Sequence, residues 1–187
     1  MSIFAPTILT YPEGIELRPA GRLLLEIGPG RGDFLFHLAQ ENPEAQVVGV
    51  EIKPKRFEKL QPRIERLELT NILLFCGDAR LVLPEKIPAN AVAQLYILFS
   101  DPWPKKRHAK HRLFQESFLR ELVRVTQPGG TIIIAHDDPN YRLQMEEEFA
   151  KLPELTYSPE GIDFPTFYAE KWKQEGRRLY SFSYRKK

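Results

Sequence analysis

The chain has 187 residues, of which 42% are hydrophobic and 28% charged, with a formal net charge of +2. That length fits one domain with a full core, and the sequence holds no run of about 18 apolar residues that would span a membrane. A single cysteine, Cys76, excludes an internal disulfide and points to a reducing, cytoplasmic setting, and the opening residues MSIFAPTILTYPEG lack the basic start and apolar core of a signal peptide.

Residues 1–21 show no clear periodicity and contain three prolines, so they read as an irregular arm before a single domain over 22–187. Arg22 to Ile27 (RLLLEI) is a nearly continuous apolar run, as in a central parallel strand. It meets the turn Gly28-Pro29-Gly30-Arg31-Gly32, after which Phe34, Leu35, Leu38 and Ala39 recur at helical spacing. A second strand, Gln46 to Val50, ends at Glu51, and Lys53-Pro54 opens a basic helix that Pro62 is expected to kink or break. Ile72 to Phe75 is a third strand closed by Gly77-Asp78, with Cys76 packed in the core. Pro84 and Pro88 then suggest a short irregular crossover.

Ala91 to Phe99 forms a fourth strand that ends at Asp101. Pro102 and Pro104 bracket Trp103 and forbid an immediate helix. The cations Lys105, Lys106, Arg107, Lys110 and Arg112 follow with no acid among them, a stretch suited to a polyphosphate or nucleic acid or, more blandly, a solvated face. A helix is expected over His111 to Val125, stopped by Pro128-Gly129-Gly130, then a fifth strand over Thr131 to Ala135 leading to His136, Asp137 and Asp138. A helix from about Pro139 to Leu152 and strands near Phe164 and over Leu179 to Tyr184 complete the chain.

Strands alternating with helices imply an α/β fold with a doubly wound, mostly parallel sheet, whose ligands sit at the strands' carboxyl ends. Glu26, Glu51, Asp78, Asp101 and Asp137 all fall at or beside that edge. The glycine spacing is GxGxG, because Asp33 stands where a dinucleotide fingerprint would have its third glycine. Glu26 would repel a pyrophosphate but suits an ammonium or sulfonium. Glu51 at the second tip can accept from both hydroxyls of a ribose, and Asp78 from an adenine amino group. S-adenosyl-L-methionine satisfies all three. Each acid could instead cap a helix or face solvent.

Four stretches, EIGPGRG at 26–32, VEIK at 50–53, GDA at 77–79 and above all DPWPKKRHAKHR at 101–112, make the chain resemble the bacterial tRNA (guanine-N7-)-methyltransferases. The resemblance covers Leu23 to Lys187. It implies a class I methyltransferase sheet, Rossmann-like and seven-stranded with an antiparallel last strand, and an enzyme that transfers methyl from S-adenosyl-L-methionine to N7 of a guanosine in the variable loop of tRNA. By matching positions, it implies that Glu26, Gly28, Gly30, Gly32, Glu51, Asp78 and Ala79 bind the cofactor. Asp101 would lie at the reaction centre, while Lys105, Asp137 and Thr166 would hold the substrate guanosine. No metal and no obligate protein partner is expected; a monomer or homodimer would serve. The other readings are a small-molecule methyltransferase using the same cofactor and a non-catalytic RNA-binding relative.

Such chemistry needs no general base, because guanine N7 carries a free lone pair and its product ring gains positive charge; positioning matters most. Three positions depart from the family pattern. Ser100 stands where proline is usual and His136 where threonine is usual. In the late motif Thr-x-Tyr/Phe-Glu, Thr166-Phe167-Tyr168 is followed by Ala169, with Glu170 displaced by one residue, which in an extended segment would point its carboxylate the other way.

Overall fold

The protein is described from a computed structural model that covers residues 8–14, 17, 21–100, 113–158, 167–176 and 178–187. Its elements in chain order are β1 (Leu9–Tyr11), β2 (Leu23–Ile27), α1 (Asp33–Glu41), β3 (Gln46–Glu51), α2 (Pro54–Arg66), β4 (Ile72–Cys76), α3 (Ala79–Lys86), β5 (Val92–Leu98), α4 (Glu116–Val125), β6 (Thr126–His136), α5 (Pro139–Phe149), β7 (Leu155–Ser158), α6 (Phe167–Gln174) and β8 (Tyr180–Lys186).

The strands form one sheet in the order β1-β4-β3-β2-β5-β6-β8-β7. Strands β4, β3, β2, β5 and β6 are parallel, so their carboxyl ends share one edge, while β8 runs antiparallel to β6. The doubly wound, mostly parallel class is therefore as expected, but among the described residues the sheet has eight strands rather than seven. The additional edge strand is β1, from the arm that composition suggested was irregular. Leu9, Thr10 and Tyr11 pair antiparallel with Cys76, Phe75 and Leu74. Tyr11 also donates its hydroxyl to Glu65 on α2 at 2.8 Å.

Successive strand residues feed opposite faces. Leu24, Val47 and Leu74 pack under α1 and α2 with Phe34, Leu35, Phe57, Leu60 and Ile64. Leu25, Val48 and Leu73 pack on the other face with Val82, Phe118, Leu122, Met145 and Phe149 from α3, α4 and α5. The switch between faces falls between β2 and β5, the point where such sheets open a crevice for a ligand.

Two proline expectations fail for the same reason. Pro62 lies inside a continuous α2 and Pro84 inside α3, so neither segment is broken. Burial of Phe57, Leu60 and Ile64 on one helix, and of Val82 and Leu83 on the other, outweighs the loss of one backbone donor in each. Pro128-Gly129-Gly130 lies within β6, where it produces a shift in register against β5 and leaves α4 to end at Val125. The late strand expected near Phe164 lies outside the described residues, and β7 stands earlier, at Leu155–Ser158.

Candidate functional site

The glycine loop joins β2 to α1 at the crevice. Gly28, Gly30 and Gly32 all take positive φ, at 77°, 59° and 83°, where side chains are strained. Gly28 N–H donates to Val50 O at 2.8 Å, which ties the loop to the tip of β3, and Gly32 N–H donates to Pro29 O at 2.8 Å, which closes the turn on itself. At Gly32 a Cβ would lie 2.5 Å from Leu60 Cδ2 and 2.7 Å from Phe36 Cζ. Gly32→Ala is therefore expected to destabilise the fold by about 2–4 kcal/mol, from the strained φ and the clash together, read as a lower urea midpoint with an unchanged slope.

Beneath that loop lies Glu26. The parallel register places it between Gly49 of β3 and Tyr96 of β5, and its side chain is buried. Among the described residues its Oε2 has no hydrogen-bond partner. Burial, reinforced by the nearby Asp33 and Glu51 carboxylates, pushes its pKa up to about 8, so that it is protonated at neutral pH. A buried carboxyl oxygen without a partner is costly in a structural role. The arrangement suits a ligand that brings a cation.

Glu51, at the tip of β3, is also buried. Its Oε2 accepts from Gly30 N–H at 3.0 Å and its Oε1 from Lys53 N–H at 2.8 Å, which fixes the carboxylate while leaving lone pairs on both oxygens. Asp78, just beyond β4, is the N-cap of α3: its Oδ1 accepts from Arg80 N–H at 2.9 Å, and its carboxylate pairs with the Arg80 guanidinium. Those bonds hold its pKa below the usual carboxylate range. The capping role open to every one of these acids is thus realised at Asp78, which pairs with Arg80 as well. Ala79 is buried in the first turn of α3.

Between the tips of β3 and β4 lies an apolar cleft of about 270 Å³, lined by Ile8, Leu9, Ile52, Pro54, Cys76, Gly77, Asp78 and Leu81. Leu9, Ile52 and Leu81 are half exposed, at 50%, 56% and 47%, and belong to the small set of large apolar side chains left in solvent. Three of them facing one cleft marks a place for a flat apolar ligand group. Ile8 and Leu9 come from the arm and its strand β1, a contribution with no sequence signal of its own.

Across the crevice β5 ends in an unusual turn. Phe99 takes φ 55°, a left-handed conformation uncommon outside glycine, and its N–H donates to Ala135 O at 2.8 Å. The Ser100 carbonyl accepts from His136 Nε2 at 2.9 Å, while His136 Nδ1 accepts from Asp138 N–H at 2.9 Å. Both bonds fit the neutral Nε2–H tautomer, and burial lowers the His136 pKa in keeping with it. His136 therefore ties the residue preceding Asp101 to the turn that carries Asp137. That gives a structural account of the departure at position 136. Asp137 lies beside the ring, its Oδ1 3.8 Å from His136 Nδ1 and its side chain 18% exposed.

His136→Phe keeps a ring against Tyr141, whose centroid is 4.8 Å away. It strips partners from the Ser100 carbonyl and the Asp138 N–H, and should cost about 2–4 kcal/mol in urea unfolding. The histidine's own pH dependence has a definite sign. With its folded pKa depressed, its contribution is present above the ordinary value of 6.5 and is lost as pH falls through the folded pKa. The phenylalanine variant should lack that acid limb.

The structure thus gathers Glu26, Gly28, Gly30, Gly32, Glu51, Asp78, Ala79 and Asp137 along one edge of the sheet. Asp101, Lys105 and Thr166 lie outside the described residues. Ala169 falls in helix α6 rather than in an extended segment, and is buried, whereas Glu170 is exposed and pairs with Lys173 at 3.7 Å. The displaced glutamate is therefore turned by about 100° around a helix, not flipped across a strand. Among the described residues no cluster of three or more His, Cys, Asp or Glu could hold a metal ion, and no helix is long and apolar enough to cross a membrane.

Sheet order, glycine turn and acidic strand tips define a class I methyltransferase fold. The crystal structure of the 16S rRNA methyltransferase KamB shares it at a TM-score of 0.64 and 16% identity, over 88% of this chain and 86% of that one. A family model described as "Putative methyltransferase" matches residues 20–182. The tRNA (guanine-N(7)-)-methyltransferase of Chlamydia felis is 34% identical over 87% of this chain and 75% of its own length. That of Thermotoga maritima is 35% identical over 88% of this chain but only 54% of its own. The chain belongs to the tRNA (guanine-N(7)-)-methyltransferase family.

Proposed function

We propose that the chain transfers a methyl group from S-adenosyl-L-methionine to N7 of a guanosine in the variable loop of tRNA, with residues 22–187 acting as one methyltransferase domain. Family membership supports the substrate. The observation that carries the cofactor is Glu26, a buried carboxyl with an orphan oxygen under a glycine loop.

The residues present fit this cofactor. Glu26 would receive its ammonium, Glu51 its ribose hydroxyls, and the cleft between Leu9, Ile52 and Leu81 its adenine, with Asp78 and the Ala79 N–H available to the ring's edge. Gly28, Gly30 and Gly32 let the backbone approach closely. When bound, S-adenosyl-L-methionine supplies an electrophilic methyl on sulfur, and a neutral thioether leaves as the new N–C bond forms.

This chain's residues then position the base and balance charge. Asp101 stands at the reaction centre and stabilises the positive charge that develops on the purine. Asp137 accepts from the guanine N1–H and amino group, and Lys105 and Thr166 hold the nucleotide. Reduction of the treated tRNA followed by aniline, which breaks the chain at 7-methylguanosine, should cut in the variable loop. Cuts confined to another loop would refute that placement.

A further inference from the structure

Helix α2 carries its charge differently from its neighbours. In α3, α4, α5 and α6 every lysine and arginine lies no more than 3.7 Å from a carboxylate on, or at the end of, its own helix. On α2 only Arg63 is paired among the described residues, with Asp33 at 3.3 Å. Lys55, Lys59 and Arg66 are exposed and have no such partner there.

These three residues form a single stripe. Spaced i, i+4 and i+11, they fall within about 40° of arc at 100° per residue and extend for about 16 Å along the axis. The buried side, Phe57, Leu60 and Ile64, points the opposite way. Local helix energetics argue against this placement. Lys55 sits in a first turn that has no acid, at the positive end of the helix dipole, and its i+4 neighbour is Lys59, a like charge. Lys55 opposes its own helix, Arg66 stands in the last turn where a cation is favourable, and all three lack, among the described residues, the carboxylate partner that the cations of α3 to α6 each have. A stripe of this kind suits an external anion.

The stripe is also placed to extend the site. Helix α2 starts from the tip of β3, and Arg56 Nη1 would lie 3.8 Å from a Cβ on Gly30, so the basic face begins at the glycine loop and leads away from it. We propose that Lys55, Lys59 and Arg66 bind backbone phosphates of the tRNA outside the methylated loop. This rests on the tRNA reading above.

The test uses the full chain with Lys55→Gln, Lys59→Gln and Arg66→Gln combined, and Lys59→Gln alone as a milder variant. Binding of tRNA is measured across a salt series, and binding of S-adenosyl-L-methionine by calorimetry. Each phosphate contact removed should flatten the plot of log affinity against log salt by about 0.7–0.9, hence by about 2–3 for the triple variant. Affinity for tRNA at low salt should fall at least roughly tenfold on the same basis, with KM for tRNA raised, kcat at saturation kept and cofactor affinity unchanged. A triple variant with the wild-type salt slope would overturn the stripe and leave the tRNA reading standing. A wild type that does not bind tRNA would overturn both.

Discussion

Asp101→Ala is expected to lower kcat for methylation of tRNA by about 10²–10³-fold, the usual effect of removing one charge-stabilising group from a reaction centre. The affinity for S-adenosyl-L-methionine should change little, because the groups proposed for its ammonium, ribose and adenine lie on β1, β2, α3 and the tip of β3, away from Asp101 in sequence. The reason for so large an effect is electrostatic. The attacking nitrogen needs no base, so the barrier reflects how well the base is aligned and how well the growing positive charge is met. The chain invests local strain at this point: Phe99 is held at positive φ, and the Ser100 carbonyl is anchored by a fully buried His136. Asp101→Asn separates the two contributions. If charge dominates, asparagine should be nearly as impaired as alanine in single-turnover measurements. An alanine variant with wild-type kcat would remove Asp101 from the centre.

Glu26→Gln should weaken binding of S-adenosyl-L-methionine by about 10–100-fold, the worth of a hydrogen bond to a charged group. It should also abolish a proton release. With its pKa at about 8 the wild-type carboxyl is mostly protonated at pH 7, and it must ionise to pair with an ammonium. Calorimetry in buffers of different ionisation enthalpy should therefore report release of most of one proton at pH 7. Affinity should rise between pH 6 and about 7.5 and flatten near 8, where an α-amino group itself begins to lose its proton at about 7.7–8.0.

Stability should move the other way. Below the ordinary value of 4.5 both folded and unfolded chains hold the proton and the acid costs nothing. From there to about 8 the unfolded chain gives up its proton first, so native stability falls as pH rises. The glutamine variant should match the wild type near pH 4 and exceed it at pH 8 by at most on the order of 4 kcal/mol. Equal pH dependence in both proteins would mean that Glu26 is not held protonated.

Much of the site was legible because its signals are local. An apolar run that ends in an acid or a glycine turn is visible in a few residues, and β2, β3, β4 and β5 stand close to where those runs placed them. What was not legible depends on partners distant in sequence. Strand β1 is three residues beside a proline and becomes a strand only because β4 offers an edge. His136 gains its role from Ser100, 36 residues away. The helices at Pro62 and Pro84 persist because buried faces outweigh a local penalty, and Ala169 reads as extended until its helix is seen. Asp78 serves as N-cap of α3 and as partner of the Arg80 guanidinium, two residues on, a pairing that the strand-tip pattern does not signal.

The most direct test is chemical. Unmodified tRNA is incubated with the protein and S-adenosyl-L-methionine, digested to nucleosides and resolved by mass spectrometry. The expected product is 7-methylguanosine, formed only when both protein and cofactor are present. Its absence from tRNA that the protein demonstrably binds, or a methyl group found on any other nucleoside alone, would rule out methylation at guanine N7.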